Sequence, residues 1–169
     1  MVLEKRKRDN NMRYNKIRKM DISNGPGIRI SLFVQGCPFH CKGCFNECTW
    51  DFNQGKHFTN ETLQLLLNNA KMDYIAGLSV LGGEPLHPKN IDEVITICKK
   101  FKESYPEKDI WLWTGYLIEN INNNEIFKYV DYIVDGQFIE DLKDSTLKFR
   151  GSSNQRVINI KEYLEEVNF

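Results

Sequence analysis

Of the five cysteines in this 169-residue chain, four fall between Cys37 and Cys48. Within that window Cys37-Pro38-Phe39-His40-Cys41-Lys42-Gly43-Cys44 forms a C-x3-C-x2-C run. Three thiolates on one short loop can wrap a single compact iron–sulfur cluster. Separate zinc knuckles would need a second cysteine pair downstream, and Cys98 has no neighbour with which to make one. Iron–sulfur cubanes ordinarily take four thiolates, so three leave one iron with an exchangeable position, the logic of an open catalytic metal site. Gly36 and Gly43 allow tight turns that bring backbone N–H groups close to sulfur. Cys48 could close the cluster as a fourth ligand. In the ordinary C-x2-C-x2-C-x3-C run the last cysteine serves a different cluster, however, and Cys48 reads better as a bystander thiol. His40 reads as a solvent-facing loop residue.

A second candidate is Gly82-Gly83-Glu84-Pro85. Glycines at the end of a strand let the backbone approach a ligand, unpaired carbonyls there can accept from an ammonium group, and Glu84 adds a carboxylate. Taken alone, the same four residues are an ordinary turn.

Both motifs need a scaffold, and the apolar pattern supplies one. Ile28, Ile30, Leu32 and Val34 alternate along a strand over 28–34, and further strands are expected over 78–81, 110–113, 130–134 and, more weakly, 157–160. Thr59 or Asn60 caps a helix running to about residue 71, with Leu63, Leu66 and Leu67 inward. Asn90 with Glu93 reads as a capping box, and Ile91, Val94, Ile95, Cys98 and Phe101 then follow helical spacing, which puts Cys98 in the core. A short helix over 118–127 is weakened by Asn122-Asn123-Asn124. Alternating strands and helices imply right-handed crossovers and a mainly parallel sheet. Each apolar run ends in distinctive residues: Gly36-Cys37, then the 82–85 turn, then Thr114-Gly115-Tyr116, then Asp135-Gly136. In parallel α/β folds ligands sit at the carboxyl ends of strands, so these four loops are expected to share one site.

Bulk composition narrows the setting. Lys+Arg and Asp+Glu both number 23, so there is no global charge to draw nucleic acid or an anionic membrane. The basic run Lys5-Arg6-Lys7-Arg8 reads as part of a solvated polar tail over 1–16, with a single domain over 17–169. There is no apolar run long enough for a transmembrane helix and no signal-peptide core near the start, which leaves the cytoplasm as the default setting. Clustered cysteines in that reducing compartment favour metal chemistry over disulfides. A full eight-unit barrel needs about 250 residues. The expected fold is therefore α/β, an open partial (βα) barrel of about four to five mainly parallel strands.

The cysteine run followed by Phe45 resembles the signature of the radical S-adenosylmethionine superfamily. A longer ordered series narrows the resemblance. Asp21-Ile22-Ser23-Asn24-Gly25-Pro26-Gly27 comes first, then the cysteine loop into Phe45-Asn46 and Thr49-Trp50, then 82–88. Residues 109–116, Val134-Asp135-Gly136 and Phe149-Arg150-Gly151-Ser152-Ser153-Asn154-Gln155-Arg156 complete it. From about Met20 to Ile158 this is similar to the activating proteins of anaerobic ribonucleoside-triphosphate reductase. Activators of pyruvate formate-lyase share the early motifs but are longer, and the Arg-Gly-Ser-Ser-Asn-Gln ending favours the reductase activators.

The resemblance implies a radical S-adenosylmethionine core and a [4Fe-4S] cluster on Cys37, Cys41 and Cys44. It also implies S-adenosylmethionine as cofactor, the large reductase subunit as protein substrate and a flavodoxin-type electron donor. By the same carry-over, Gly43, Cys44 and Phe45 line the adenine, while Gly82, Gly83 and Glu84 hold the methionine end. Thr114, Asp135, Arg150, Ser152 and Asn154 are weaker candidates for carboxylate, ribose or partner contacts. Arg150 serves equally well as a structural ion pair, Trp111 and Trp113 read as core, and Tyr116 stays open. Met12 is expected as the natural start, since the resemblance needs little before Asp21. Two rivals stand beside this reading: an electron carrier with a fully ligated cluster, and a zinc-binding interaction module. Both leave the 82–85 turn without a task.

Overall fold

The computed structural model describes residues 11–168; the Lys5-Arg6-Lys7-Arg8 run lies outside the described residues. Among the described residues seven strands form one mixed sheet in the order β3-β1-β2-β4-β5-β6-β7. They are β1 (Arg13–Asp21), β2 (Ile28–Val34), β3 (Lys56–His57), β4 (Ile75–Gly82), β5 (Asp109–Trp113), β6 (Tyr132–Asp135) and β7 (Arg156–Asn159). Three α-helices accompany them among the described residues: α1 (Asn60–Asn69), α2 (Ile91–Ser104) and α3 (Ile160–Val167). No helix among the described residues is long and apolar enough to cross a membrane.

The four central strands β2, β4, β5 and β6 are mutually parallel, as the alternation of strands and helices requires. The flanks correct the expectation of a sheet of four or five mainly parallel strands. β1 pairs antiparallel with β2, β3 with β1, and β7 with β6. Residues 13–16, read from sequence as tail, belong to β1. Its sequence RYNKIRKMD carries too little apolar character to announce a strand. The strand forms because β2 offers a ladder and because the Lys16 and Arg18 cations lie 4.8 and 5.0 Å from the Phe33 ring centre.

The helices behave largely as their patterns dictate. Thr59 caps α1 in a capping box with Thr62, and Leu63, Leu66 and Leu67 are buried. Val94, Ile95, Cys98 and Phe101 bury the inner face of α2. Between β5 and β6 the expected helix over 118–127 is instead two 3-10 turns, Ile118–Asn120 and Asn124–Lys128. Asn123 Oδ1 caps the second by accepting from Glu125 N–H. A side chain that bonds its neighbours' backbone competes with helix propagation, and this stretch holds three such residues in a row. The 157–160 strand ends one residue early: Asn159 caps α3 and Ile160 opens it.

The division of the sheet into two faces is what positions the site. Ile30, Leu32, Val34, Leu78, Val80, Ile110 and Leu112 point to one side, into the core built with α1 and α2. The alternate residues Arg29, Ser31, Phe33, Ser79, Leu81, Trp111 and Trp113 point to the other side. Near its lower edge this second face is polar and tightly tied. Arg29 is fully buried, pairs with Asp109 at 2.7 Å, and donates to Ser79 Oγ and to the carbonyls of Pro26 and Leu78. Towards the strand carboxyl ends the same face opens into a cleft.

Candidate functional site

A cavity of about 750 Å³ occupies that cleft, floored by Phe33, Leu81 and Trp113 from the sheet. Cys37, Cys41 and Cys44 all line it, together with Gly82, Gly83, Glu84, Thr114, Gly115 and Gly136. The four strand-end loops singled out by the sequence therefore do meet in one place. Phe149, Arg150, Gly151 and Gln155 close the cavity from the chain's last third.

The cysteine loop is held by backbone bonds on both sides. Gly36 N–H donates to Thr49 O at 2.7 Å and Cys37 N–H to Trp50 O at 3.0 Å. On the other side Gly83 N–H donates to Val34 O at 2.9 Å and Glu84 N–H to Gly36 O at 2.8 Å. This explains the paired glycines. Gly82 has φ +111°, and a Cβ on Gly83 would come within 2.4 Å of the Gly36 carbonyl oxygen. The close approach that demands glycine here is therefore made by the protein's own cysteine loop.

Two polar side chains, Gln35 and Asn90, complete the brace. Gln35 Nε2 donates to the carbonyls of Cys48 and Asp51 at 3.0 and 2.9 Å. Asn90 makes no side-chain cap on α2, contrary to the capping-box expectation. Its buried amide instead donates to Gln35 O at 3.2 Å and Glu84 O at 3.0 Å. Asn90 thus joins the root of the cysteine loop to the 82–85 turn, a role visible only once two distant segments are adjacent.

Glu84 is 1% exposed. Its Oε1 accepts from Leu86 N–H and Thr114 Oγ1–H, and its Oε2 from Gly115 N–H, at 2.7–2.9 Å. Burial raises its pKa from the ordinary 4.5 to about 7, while those three donors pull the other way. The carboxylate therefore braces β4 against β5, and Thr114 is committed to it. Asp135 is likewise committed. It is fully buried, accepts from Ile118 N–H at 2.8 Å and pairs with Arg156, which also bridges to Glu119. Among the other weaker candidates, Arg150 donates to Gln155 O, Ser152 Oγ accepts from Ile139 N–H, and Asn154 donates to Gln137 O. Trp111 is buried against Tyr132 and Phe149, whereas Trp113 lines the cavity and donates to Phe149 O. Tyr116 packs edge-on against Phe39.

Phe45 lines the cavity yet remains 67% exposed, tilted against Phe138 with ring centroids 5.3 Å apart and lying under the Lys143 ammonium. Gly43 faces Glu140 on the far side of the loop. Cys48 is exposed and His40 stacks on Trp50, and neither lines the cavity. Cys98 is buried in the core, where desolvation pushes its thiol up to about 12.

The donor set fits an iron–sulfur cluster. Among the described residues no group of three or more His, Cys, Asp or Glu side chains is arranged to hold a single metal ion. A cubane makes a different demand: each thiolate bonds a different iron, so the sulfurs surround a body several atoms across. Three half-buried thiols facing one cavity meet that demand. Backbone N–H groups are also aimed at each sulfur, from Phe39 and His40 at Cys37, from Phe138 at Cys41, and from Asn46 at Cys44. Burial otherwise pushes the Cys37 thiol up to about 11, so these donors and a cationic metal centre are what would favour the thiolate.

Comparison with known proteins agrees with this chemistry. A family described as a 4Fe-4S single cluster domain matches residues 23–158. A protein of Enterobacteria phage T4 is 45% identical over 146 residues, covering 86% of this chain and 93% of the relative. Counterparts from Salmonella typhi and Escherichia coli K12 are 41% and 40% identical, each covering 89% of this chain and 100% of the relative. All three relatives are named anaerobic ribonucleoside-triphosphate reductase-activating protein.

Proposed function

The chain belongs to the anaerobic ribonucleoside-triphosphate reductase-activating proteins, within the 4Fe-4S single cluster family, and from that premise we propose that it installs a glycyl radical on the large subunit of an anaerobic ribonucleoside-triphosphate reductase, using S-adenosylmethionine. The observation that carries the reading is the convergence of three thiols and four strand-end loops on one cavity at the helix-free face of the sheet. Cys37, Cys41 and Cys44 would hold a [4Fe-4S] cluster with one open iron. When bound, that cluster supplies the electron that cleaves S-adenosylmethionine to methionine and a 5′-deoxyadenosyl radical.

The chain's own residues bind, orient and exclude water. The turn at 82–84, braced by Glu84 and Asn90, sets backbone groups beside Cys37 for the amino-acid end of the cofactor. Phe45 and Cys44 border the region assigned to adenine. Phe33, Leu81, Trp113 and Phe149 give the cavity an apolar floor that restricts solvent around a reactive species. The helix-free face, open between its flanking strands, serves as the interior of a partial barrel across which the reductase's glycine segment docks. Five unpaired cysteines suit a reducing cytoplasm, and a flavodoxin-type donor is the expected reductant.

Anaerobic reconstitution with iron and sulfide, then dithionite and S-adenosylmethionine, tests this reading. Wild type should yield 5′-deoxyadenosine and Cys41→Ala should yield none. Undiminished product from Cys41→Ala would refute the ligand assignment, and no product from wild type would refute the enzyme.

A further inference from the structure

Gln137 reaches Cys41 from a different loop. Cys41 Sγ–H donates to Gln137 Oε1 at 3.9 Å, and the Phe138 backbone N–H is directed at the same sulfur. Both groups sit just after β6, on a loop fixed by the segment 150–156, for which the sequence offered no definite chemical task. Asn154 Nδ2 donates to Gln137 O at 2.8 Å, and Gln155 Nε2 to Gly136 O at 2.9 Å. Gln155 Oε1 in turn accepts from the N–H groups of Gly151 and Ser152. The backbone at Gln137 is therefore held on one side by this segment, while its side chain meets the cysteine loop on the other.

A primary amide offers an oxygen acceptor on one edge and two N–H donors on the other, exchanged by a half-turn about its last torsion. Opposite a thiol the oxygen accepts. Opposite an iron-bound thiolate, which carries no proton, the matching edge is Nε2–H. We propose that Gln137 is a positioning residue that donates from Nε2 to the iron-bound sulfur of Cys41 and thereby raises the cluster's reduction potential. The proposal rests on the reading of Cys41 as a cluster ligand. A donor at a ligand sulfur offsets negative charge, and the reduced cluster carries one more such charge, so the donor favours reduction. Gln137 is exposed, and water competes for the same sulfur. The effect is therefore about tenfold in the reduction equilibrium, which is about 59 mV for a one-electron couple.

The test compares the reconstituted full-length wild type with Gln137→Leu and Gln137→Glu. Iron per chain is counted first, and the midpoint potential is then read by an EPR-monitored redox titration. All three proteins should hold equal iron. The midpoint should fall by about the tenfold equivalent in Gln137→Leu, and at least as far in Gln137→Glu, where a like charge faces the sulfur. A midpoint in Gln137→Leu within about twofold of wild type overturns the proposal, as does loss of iron from that variant, which would make Gln137 a structural support. Failure of the underlying reading shows separately, as full iron loading and an unaltered spectrum in Cys41→Ala.

Discussion

At Glu84 burial and hydrogen bonding oppose each other, and burial prevails. The folded carboxyl titrates near 7 against an ordinary 4.5. Between those values the folded protein keeps a proton that the unfolded chain has released, so this group's contribution to stability falls as pH rises from 4.5 to 7. It is level on either side. The difference amounts to something on the order of 3 kcal/mol. Glu84→Gln cannot titrate, so chemical denaturation of the variant from pH 5 to 8 should lack that part of the wild-type slope. Equal slopes in the two proteins would contradict the assignment. That Cys37, Cys41 and Cys44 share one cavity was legible from sequence because their spacing confines them to one short loop. Asn90, Gln35 and Gln137 were not, because each acts on a segment distant in sequence. Asn90 in particular carried a misleading local signature, a cap residue followed three positions later by Glu93.

Among the elements, the β6–β7 pair bears most directly on the cavity wall. Arg156 at the head of β7 holds Asp135 at the end of β6 and Glu119 beyond it, and these partners raise the Arg156 pKa above its ordinary value. Arg156→Ala leaves the fully buried Asp135 carboxylate with Ile118 N–H alone among these donors. Breaking a wholly buried pair costs roughly 3–5 kcal/mol. The Arg156 side chain is 45% exposed, so a loss of about 2 kcal/mol is expected by denaturant titration. Adding Asp135→Asn should recover part of it, since a neutral amide is cheaper to leave buried. A single variant as stable as wild type would show that the pair is not what closes this edge. The parallel strands were readable because one face of each, such as Ile30, Leu32 and Val34 or Leu78 and Val80, carries the apolar residues that enter the core. β1 was missed because its stability comes from pairing with β2, and α3 because Ile160 and Leu164 give it only a short apolar stripe.

Taken as a whole, the molecule keeps its helical core on one side of a mixed sheet and its chemistry on the other. That arrangement explains why a chain of this length needs no closed barrel: loops from 21–27, 37–50 and 136–155 do the enclosing. The sheet's edges and antiparallel flanks were not legible, since a strand's partner and direction depend on contacts that no local period records. The parallel direction of its central strands was, because alternating strands and helices imply right-handed crossovers. Whether this cavity acts on a protein substrate is read most directly by one measurement. Reconstituted protein, S-adenosylmethionine and a reductant are incubated without oxygen with the large subunit of an anaerobic ribonucleoside-triphosphate reductase, and the mixture is examined by EPR. A glycyl radical signal should appear on the reductase with wild type and be absent with Cys41→Ala, whereas 5′-deoxyadenosine formed without any radical on the reductase would contradict the account.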